Sequence, residues 1–175
     1  GSSILHGACA SRPGMAYPSI IGRRMERPVV NLGFSGNGRM DAPIVERIAT
    51  LDVSVYVIDC CPNMDPPLIT ERTEPLVKAL RAARPNTPIV LVENVPYEKG
   101  WFLPASKDAY VKKNEALRAA YERLKASGVK NLHYIRCDNF WGDDHDATVD
   151  GVHPNDIGFL RMANAIEREL RRIVP

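Results

Sequence analysis

Short apolar segments rich in β-branched residues recur along the chain and alternate with longer segments that have a helical repeat of apolar positions. The apolar segments predict buried strands at residues 29–33, 53–59, 88–94 and 132–137. Because these segments are continuously apolar, they are typical of a parallel sheet that is covered on both faces.

The segments around and between the predicted strands indicate amphipathic helices. These helices are predicted at residues 16–26, 42–51, 67–83, 107–127 and 155–173. Alternation of strand and helix is typical of a doubly wound sheet with helices on both faces. We therefore predict a three-layer α/β/α sandwich, in which functional sites lie at the carboxyl ends of the strands.

The first residues of the sequence look like the turn that follows a strand, although no strand precedes them. Gly1-Ser2-Ser3 has the small residues that such a turn needs. A doubly wound sheet without its first strand would expose a strand edge and part of the core. We therefore expect the first strand to be truncated here and the natural polypeptide to have an additional N-terminal segment or domain.

Length and composition fit a single domain over residues 1–175. Hydrophobic residues make up 45% of the chain, and the net charge of +2 provides no clustered basic face for nucleic acid. No apolar run is long enough for a membrane span. The four cysteines lack the spacing of a zinc site, so we expect no metal. The cysteines do not settle the cellular compartment of the protein. A secreted or periplasmic location is favoured.

The most informative pattern is Asp150-Gly-Val-His153, just before the last predicted helix. A carboxylate so close to an imidazole can hold the ring in one tautomer and stabilise its protonated form. His153 is therefore a candidate general base, and Ser3 is a candidate nucleophile for it to activate. Ser3 would lie at a helix N-terminus, where backbone N–H groups favour developing negative charge.

Two further residues could donate hydrogen bonds to an oxyanion. Gly36 follows the first predicted strand and offers a backbone N–H with no side chain in the way. Asn63 follows the second predicted strand and offers a side-chain amide. Either residue could instead be a turn residue, although the turn at Gly36 would still present the N–H.

Four blocks of the sequence, taken in order, resemble those of the SGNH (GDSL-type) hydrolase family. The blocks are Gly1-Ser2-Ser3-Ile4 with Gly7, then Asn31-Leu-Gly-Phe-Ser-Gly36, then Pro62-Asn63, then Asp150-Gly-Val-His153-Pro154. The resemblance implies a flavodoxin-like fold and esterase activity without a cofactor. It also implies that Ser3 is the nucleophile and one oxyanion donor, that His153 is the base and that Asp150 orients it. Gly36 and Asn63 would be the other two donors.

Two blocks depart from the family pattern. The first usually reads Gly-Asp-Ser, and here Ser2 replaces the Asp while the nucleophile is retained. The third usually reads Gly-x-Asn-Asp, and here it reads Cys61-Pro62-Asn63-Met64, so both flanking positions differ. A loop that pointed Asn63 away would leave the oxyanion hole with one donor fewer.

Some residues allow competing interpretations. His6 could be a second base but is more simply a residue that lines the wall of the site or packs locally. Asp146 is the main alternative to Asp150 as the orienting acid. The acidic run at residues 143–146 lacks the ligand spacing of calcium and zinc sites, which favours a solvated loop.

The aromatic loop at residues 97–104 could be a lid, a substrate platform or an interface with another domain. Trp101, Asn37 and Arg12 are the candidate substrate contacts, although the last two could equally be turn residues.

We interpret the chain as a serine esterase for short acyl esters of a small molecule or glycan. Acetyl esters of carbohydrates are favoured because the resembled family contains many such deacetylases. The alternatives are a lipid or thioester hydrolase of the same mechanism and a non-catalytic carbohydrate-binding module on the same fold.

Overall fold

The computed structural model describes residues 1–174, and the core of this part of the chain is an open sheet of three parallel strands. In their order across the sheet, the strands are β1 (Tyr56–Ile58), β2 (Ile89–Val92) and β3 (Leu132–Ile135). The register places Val57 opposite Val90 and Leu91 opposite Tyr134. Because the strands are parallel, their carboxyl ends meet at one edge of the sheet.

Helices connect and flank the strands. The α-helices of residues 1–174 are α1 (Ser3–His6), α2 (Tyr17–Arg24), α3 (Ala42–Ala49), α4 (Pro66–Ala83), α5 (Pro104–Ala126) and α6 (Asp156–Ile173). Short 3-10 helices lie at Pro13–Met15, Cys61–Asn63 and Glu98–Trp101. No helix within residues 1–174 combines the length and apolar character that a membrane crossing requires.

The burial of β2 shows how the sheet is covered. All four of its side chains are fully buried. Val90 and Val92 pack with Phe159 of α6 in one cluster, whereas Ile89 and Leu91 pack with side chains of α4 and α5 in a second cluster. Successive side chains of a strand point to opposite faces, so helices cover the sheet on both sides. The predicted α/β/α sandwich with a parallel sheet is therefore confirmed.

The five predicted helices are present, and their ends differ from the prediction by at most three residues. The largest difference is at α5, which begins at Pro104 rather than at residue 107. Proline fits the first turn of a helix because the N–H that it lacks would have no partner there. The strands predicted at residues 53–59, 88–94 and 132–137 are present in shortened form as β1, β2 and β3.

The prediction of a strand at residues 29–33 is wrong. A strand is held by hydrogen bonds to a neighbouring strand, and within residues 1–174 the backbone of this segment bonds to the backbone of Gly1 alone, near the end of the segment. The amino group of Gly1 donates to the Leu32 carbonyl at 2.9 Å, and the Phe34 N–H donates to the Gly1 carbonyl at 2.9 Å. Val29 and Val30 stay 48% and 64% exposed, so their apolar character does not mark a buried strand here.

Candidate active site

Ser3 is the first residue of α1, and the residues around it fix its position. The preceding Ser2 is the N-cap, and its hydroxyl accepts a hydrogen bond from the Ile4 N–H at 3.2 Å. Serine is one of the residues that cap helices well, so Ser2 stabilises the start of α1. The Ser2 N–H donates to the Asp59 carbonyl at 2.9 Å, just beyond β1, so Ser3 lies at the carboxyl edge of the sheet. Its own N–H is in the first helical turn, where no intrahelical acceptor is available.

The turn at residues 150–153 brings His153 to Ser3. The Ser3 Oγ and His153 Nε2 atoms lie 3.0 Å apart, although the residues are 150 positions apart in the chain. The Asp150 Oδ1 atom accepts the N–H groups of Val152 at 2.9 Å and His153 at 2.7 Å, and this closes the turn. Two features require glycine at position 151. Its φ is +81°, and a Cβ there would lie 2.6 Å from the Lys99 Cβ.

The same carboxylate orients the imidazole. The Asp150 Oδ2 atom lies 2.8 Å from His153 Nδ1. Partial burial alone would raise the pKa of Asp150, but hydrogen bonds from the His153 backbone, the His153 ring and the Val152 N–H outweigh it and lower the pKa to about 2. Asp150 is therefore a carboxylate at neutral pH and accepts the Nδ1–H. The lone pair on His153 Nε2 then faces the Ser3 hydroxyl.

Backbone contacts on both sides of this turn hold it in place. The Val149 N–H donates to the His153 carbonyl at 2.9 Å, and the Asn155 N–H donates to the Ala147 carbonyl at 3.0 Å. Thr148 and Pro154 form an isolated antiparallel bridge between these bonds. The Asp150–His153 pair therefore sits at the tip of a small closed loop that leads directly into α6.

Asn63 faces the turn that contains Gly36. Its side-chain amide donates to the Phe34 carbonyl at 3.1 Å, and one N–H of that amide remains for another acceptor. Gly36 has a φ of +71°, and nothing lies within 4 Å of the Cβ that another residue would place there. No backbone hydrogen bond within residues 1–174 uses the Gly36 N–H. The altered third block thus keeps its Asn in contact with the turn that contains Gly36.

A lysine from α5 supports the loop that carries Asn63. The Lys113 ammonium donates to the Pro62 carbonyl at 3.0 Å and lies 3.3 Å from the Tyr97 hydroxyl. It also lies over the Tyr97 ring, 5.8 Å from its centroid. Sequence reasoning missed Lys113, because a lysine in the middle of an amphipathic helix carries no local signal of such a contact.

Glu98 and Lys99 were also missed, and both link the aromatic loop to the loop of His153. The Thr148 hydroxyl donates to the Glu98 carboxylate at 2.5 Å. The Lys99 N–H donates to the Gly151 carbonyl at 3.3 Å. The aromatic loop was recognised from its composition, but no pattern in it predicts these contacts.

The three predicted substrate contacts differ in their surroundings. Trp101 is 76% exposed and forms an edge-on pair with Phe102, with ring centroids 5.2 Å apart. Asn37 lies on the Gly36 turn, where its amide donates to the Ser35 carbonyl at 3.4 Å. Arg12 is exposed and donates to the Ser11 hydroxyl at 3.3 Å.

The competing residues occupy other positions. The carbonyl of Asp146 accepts the Asn155 side-chain amide at 2.8 Å, and no hydrogen bond or ion pair joins its carboxylate to His153 within residues 1–174. Asp144 forms a bidentate salt bridge with Arg161, with N···O distances of 2.7 and 2.6 Å. His6 is exposed at the end of α1. Within the part of the chain that the structure describes, no three His, Cys, Asp or Glu side chains gather in a way that could hold a metal ion.

Comparison with known sequences identifies one family. A family model described as the GDSL-like Lipase/Acylhydrolase family matches residues 1–171. No curated protein matches the chain.

Comparison with solved structures gives similar proteins that are about twice as long. A Bacteroides ovatus ATCC 8483 protein assigned as a GDSL-like lipase is 43% identical, with a TM-score of 0.96 over 99% of this chain and 51% of its own. A salicylyl-acyltransferase from a tetracycline biosynthetic pathway is 22% identical, with a TM-score of 0.78 over 99% of this chain and 53% of its own. A two-domain esterase active on acetylated mannans is 20% identical, with a TM-score of 0.72 over 99% of this chain and 47% of its own. The last two likenesses show the fold alone.

Proposed function

Because the chain belongs to the GDSL-like Lipase/Acylhydrolase family, we propose that it is a serine esterase that hydrolyses short acyl esters. The observation that carries this proposal is the continuous path of hydrogen bonds from the Ser3 hydroxyl through the His153 ring to Asp150. A protein that only binds its ligand has no use for a relay between a hydroxyl, an imidazole and a carboxylate.

In the first half of the proposed reaction, the Ser3 oxygen attacks the ester carbonyl carbon while its proton passes to His153 Nε2. The positive charge that forms on the ring is stabilised by the carboxylate of Asp150. The carbonyl oxygen becomes an oxyanion and accepts hydrogen bonds from the N–H groups of Ser3 and Gly36 and from the free amide N–H of Asn63. The bond to the alcohol then breaks, and the alcohol leaves with the proton from His153.

In the second half, water replaces the alcohol. His153 takes a proton from the water molecule, whose oxygen attacks the acyl group on Ser3. The oxyanion forms again in the same place, and collapse of this intermediate releases the acid and returns the proton to the Ser3 oxygen. Both halves use the same base and the same donors, so no cofactor is needed for the proton balance.

We favour an acetyl group on a carbohydrate as the substrate. One structural neighbour is an esterase active on acetylated mannans, which supports this choice by analogy of fold. The exposed face of Trp101 offers a platform on which a sugar ring could stack, and the loop that carries it contacts the loop of His153 through Lys99. Asn37 and Arg12 are proposed as further contacts to the alcohol part of the ester.

A second candidate is hydrolysis of longer acyl esters or thioesters by the same mechanism. The observation that favours it is that three consecutive apolar side chains, Trp101, Phe102 and Leu103, are 76%, 56% and 47% exposed. An acyl chain could lie on these side chains as well as a sugar ring could.

We also propose that residues 1–175 form one catalytic domain of a longer polypeptide. The support is that the chain covers 51%, 53% and 47% of the three solved structures described above.

Hydrolysis of p-nitrophenyl acetate, butyrate and octanoate by the wild type and by Ser3→Ala tests the proposal. We expect the wild type to be fastest on acetate and Ser3→Ala to be inactive on all three esters. Release of acetate from a panel of acetylated polysaccharides then identifies the alcohol. If the wild type and Ser3→Ala hydrolyse the esters equally slowly while a glycan still binds, the esterase proposal fails and the binding module is supported.

A further inference from the structure

The nucleophile and the base of the candidate site are held by different parts of the sheet. Ser3 begins α1, and the N–H of its N-cap Ser2 bonds to the Asp59 carbonyl just beyond β1. His153 lies on the loop of residues 142–153, between β3 and α6. The distance of 3.0 Å between Ser3 Oγ and His153 Nε2 therefore depends on how this loop is fixed relative to the sheet.

The Glu98 carboxylate binds this loop through Thr148. Its Oε2 atom accepts the Thr148 hydroxyl at 2.5 Å, and Thr148 also forms the antiparallel bridge with Pro154. Inside the same loop, the Val149 N–H donates to the His153 carbonyl at 2.9 Å. Because these bonds close the loop on itself, a displacement of Thr148 would also displace His153.

Glu98 itself belongs to a segment that is fixed to β2 and α5. Asn94, two residues after β2, and Asn114 of α5 are both buried and are joined by hydrogen bonds of 2.7 and 3.0 Å. The Tyr97 hydroxyl donates to Asn94 Oδ1 at 3.3 Å. The bond between Glu98 and Thr148 therefore ties the loop to a fixed part of the fold.

The backbone of Lys99 contacts the loop from the same side. Its N–H donates to the Gly151 carbonyl at 3.3 Å, and a Cβ on Gly151 would lie 3.0 Å from the Lys99 nitrogen. Gly151 lies inside the turn that carries His153. The loop thus meets the segment after β2 at two points, one through a side chain and one through the backbone.

Stability alone does not explain the Glu98 side chain. Its second carboxylate oxygen, Oε1, is buried and has no hydrogen-bond partner within residues 1–174. A buried acceptor without a partner lowers stability, and natural proteins break such rules at functional sites. A carboxylate is also a stronger acceptor for a hydroxyl than a neutral group is. Both properties suit a residue that fixes a distance.

We propose that Glu98 is a positioning residue for the general base, an inference that rests on the proposed esterase function. Its carboxylate holds Thr148, and with it the loop of His153, at the distance from Ser3 that proton transfer needs. The hydrogen bonds between Asp150 and His153 lie within the turn, so loss of the Glu98 contact would displace this pair as a unit. A displacement of about 1 Å can lower the rate by roughly 10²-fold.

A double-mutant cycle tests this inference. Glu98→Ala and Thr148→Val should each lower kcat for p-nitrophenyl acetate by roughly 10- to 10²-fold, with KM changed by less than about twofold. The double variant should be no slower than the slower single variant, because both substitutions break the same bond. Thr148→Ser, which keeps the hydroxyl, should retain at least about half of kcat. Asp143→Ala, at an exposed position of the same loop, is the matched control and should equal the wild type.

Amide hydrogen exchange measures the attachment of the loop without an activity assay. The Lys99 N–H bonds across to the loop, so its exchange should be faster by about tenfold in Glu98→Ala and Thr148→Val than in the wild type. The Val149 N–H bonds within the loop and is the internal reference, whose exchange should not change.

Full activity of Glu98→Ala and Thr148→Val, with Ser3→Ala inactive, would overturn this inference alone. Additive losses in the double variant, a change in KM without a change in kcat, or unchanged exchange at Lys99 would also overturn it, since each would show that Glu98 does not hold the loop in place for catalysis. Equal rates for the wild type and Ser3→Ala would overturn the proposed function together with this inference.

Discussion

The two sides of β1 are built by different means. Beyond its carboxyl end, the polar groups of the site are held by specific hydrogen bonds: Ser2 caps α1, Asp150 accepts three hydrogen bonds, and Asn63 donates to Phe34. Along the edge that faces away from β2, apolar residues such as Val29, Ile44 and Val57 line an open groove of about 430 Å³. The geometry of the site is therefore fixed by caps and turns, whereas the flank of the sheet is built from apolar side chains.

Two carboxylates make the same contrast. Asp150 is held in its charged form by hydrogen bonds that lower its pKa to about 2. Asp59 is fully buried near the groove, and desolvation raises its pKa to about 6 although the chain amino group and the Tyr17 hydroxyl act in the opposite direction. One of its carboxylate oxygens, Oδ1, has no hydrogen-bond partner within residues 1–174. Hydrogen bonds therefore stabilise the charged form of Asp150 in the site, whereas burial destabilises the charged form of Asp59.

The largest expected effect is the loss of activity when the relay is broken. His153→Ala should lower kcat for p-nitrophenyl acetate by roughly 10⁴- to 10⁶-fold, because the Ser3 hydroxyl loses its base. The thermal midpoint should change by no more than a few degrees, since the ring makes its contacts at a loop tip. Retention of more than a tenth of the activity would show that catalysis does not depend on His153 as the base for Ser3.

Asp150→Asn should lower kcat by about 10⁴-fold, because an amide cannot stabilise the protonated ring or hold the same tautomer. The matched control is Asp146→Asn in the same loop, which should keep its activity within about twofold. The opposite ranking of the two variants in steady-state kinetics would transfer the orienting role to Asp146.

Asn63→Ala should lower kcat by roughly 10²- to 10³-fold with little change in KM, as expected for loss of one oxyanion donor. The fold should be unaffected, because the side chain makes one exposed contact to Phe34. A variant that changed KM alone would indicate that Asn63 binds substrate rather than the oxyanion.

Asp59→Asn probes the flank, and its expected effect is on stability. The folded-state pKa of Asp59 is raised from 3.8 to about 6, so the folded state binds more protons than the unfolded state between about pH 4 and 6. The contribution of Asp59 to the free energy of unfolding should therefore fall as the pH rises through that range, by up to about 3 kcal/mol. Urea denaturation of the wild type and the variant at pH 4, 5, 6 and 7 should show this slope in the difference between the two proteins.

The contribution of Asp150 to stability changes with pH in the opposite direction. The pKa of Asp150 is lowered, so its contribution to stability is present above about pH 4 and is lost as the pH falls towards 2. The two pH ranges do not overlap, so the Asp59→Asn comparison is free of this contribution. An unchanged slope between pH 4 and 6 in Asp59→Asn would show that another group controls that range.

The smallest effect tests how the site loop is supported. Lys113→Met removes the hydrogen bond to the Pro62 carbonyl but keeps the length of the side chain. We expect kcat to fall by about tenfold, equivalent to about 1.4 kcal/mol, because Asn63 loses its fixed position. The exposed neighbour Lys112→Met should leave kcat unchanged. Equal effects of the two substitutions on kcat would assign Lys113 a role in general surface charge only.

The sequence predicted the parts of the molecule whose signals are local. Continuous apolar segments identified β1, β2 and β3, and helical periodicity identified α2 to α6 to within three residues. The spacing of Asp150 and His153 also predicted their contact, because a turn with glycine brings residues three apart together. The fold and the candidate site could therefore be predicted in outline.

Other features depended on long-range contacts. Residues 29–33 have the composition of a strand, but a strand also needs a neighbour with which to pair, and composition cannot supply one. The contact of Lys113 with Pro62 and that of Glu98 with Thr148 join segments about 50 residues apart. Polar residues of these types occur throughout the chain, so only the folded structure identifies the ones that support the site.

The central claim is that Ser3 is a nucleophile activated by His153, and covalent trapping tests it most directly. The wild type, Ser3→Ala and His153→Ala would be treated with a p-nitrophenyl phosphonate ester, and the modified peptides would be mapped by mass spectrometry. We predict one phosphonyl group on Ser3 of the wild type, none on Ser3→Ala, and labelling of His153→Ala that is slower by at least 10³-fold. Labelling at another residue, or equal labelling of Ser3→Ala, would contradict the account.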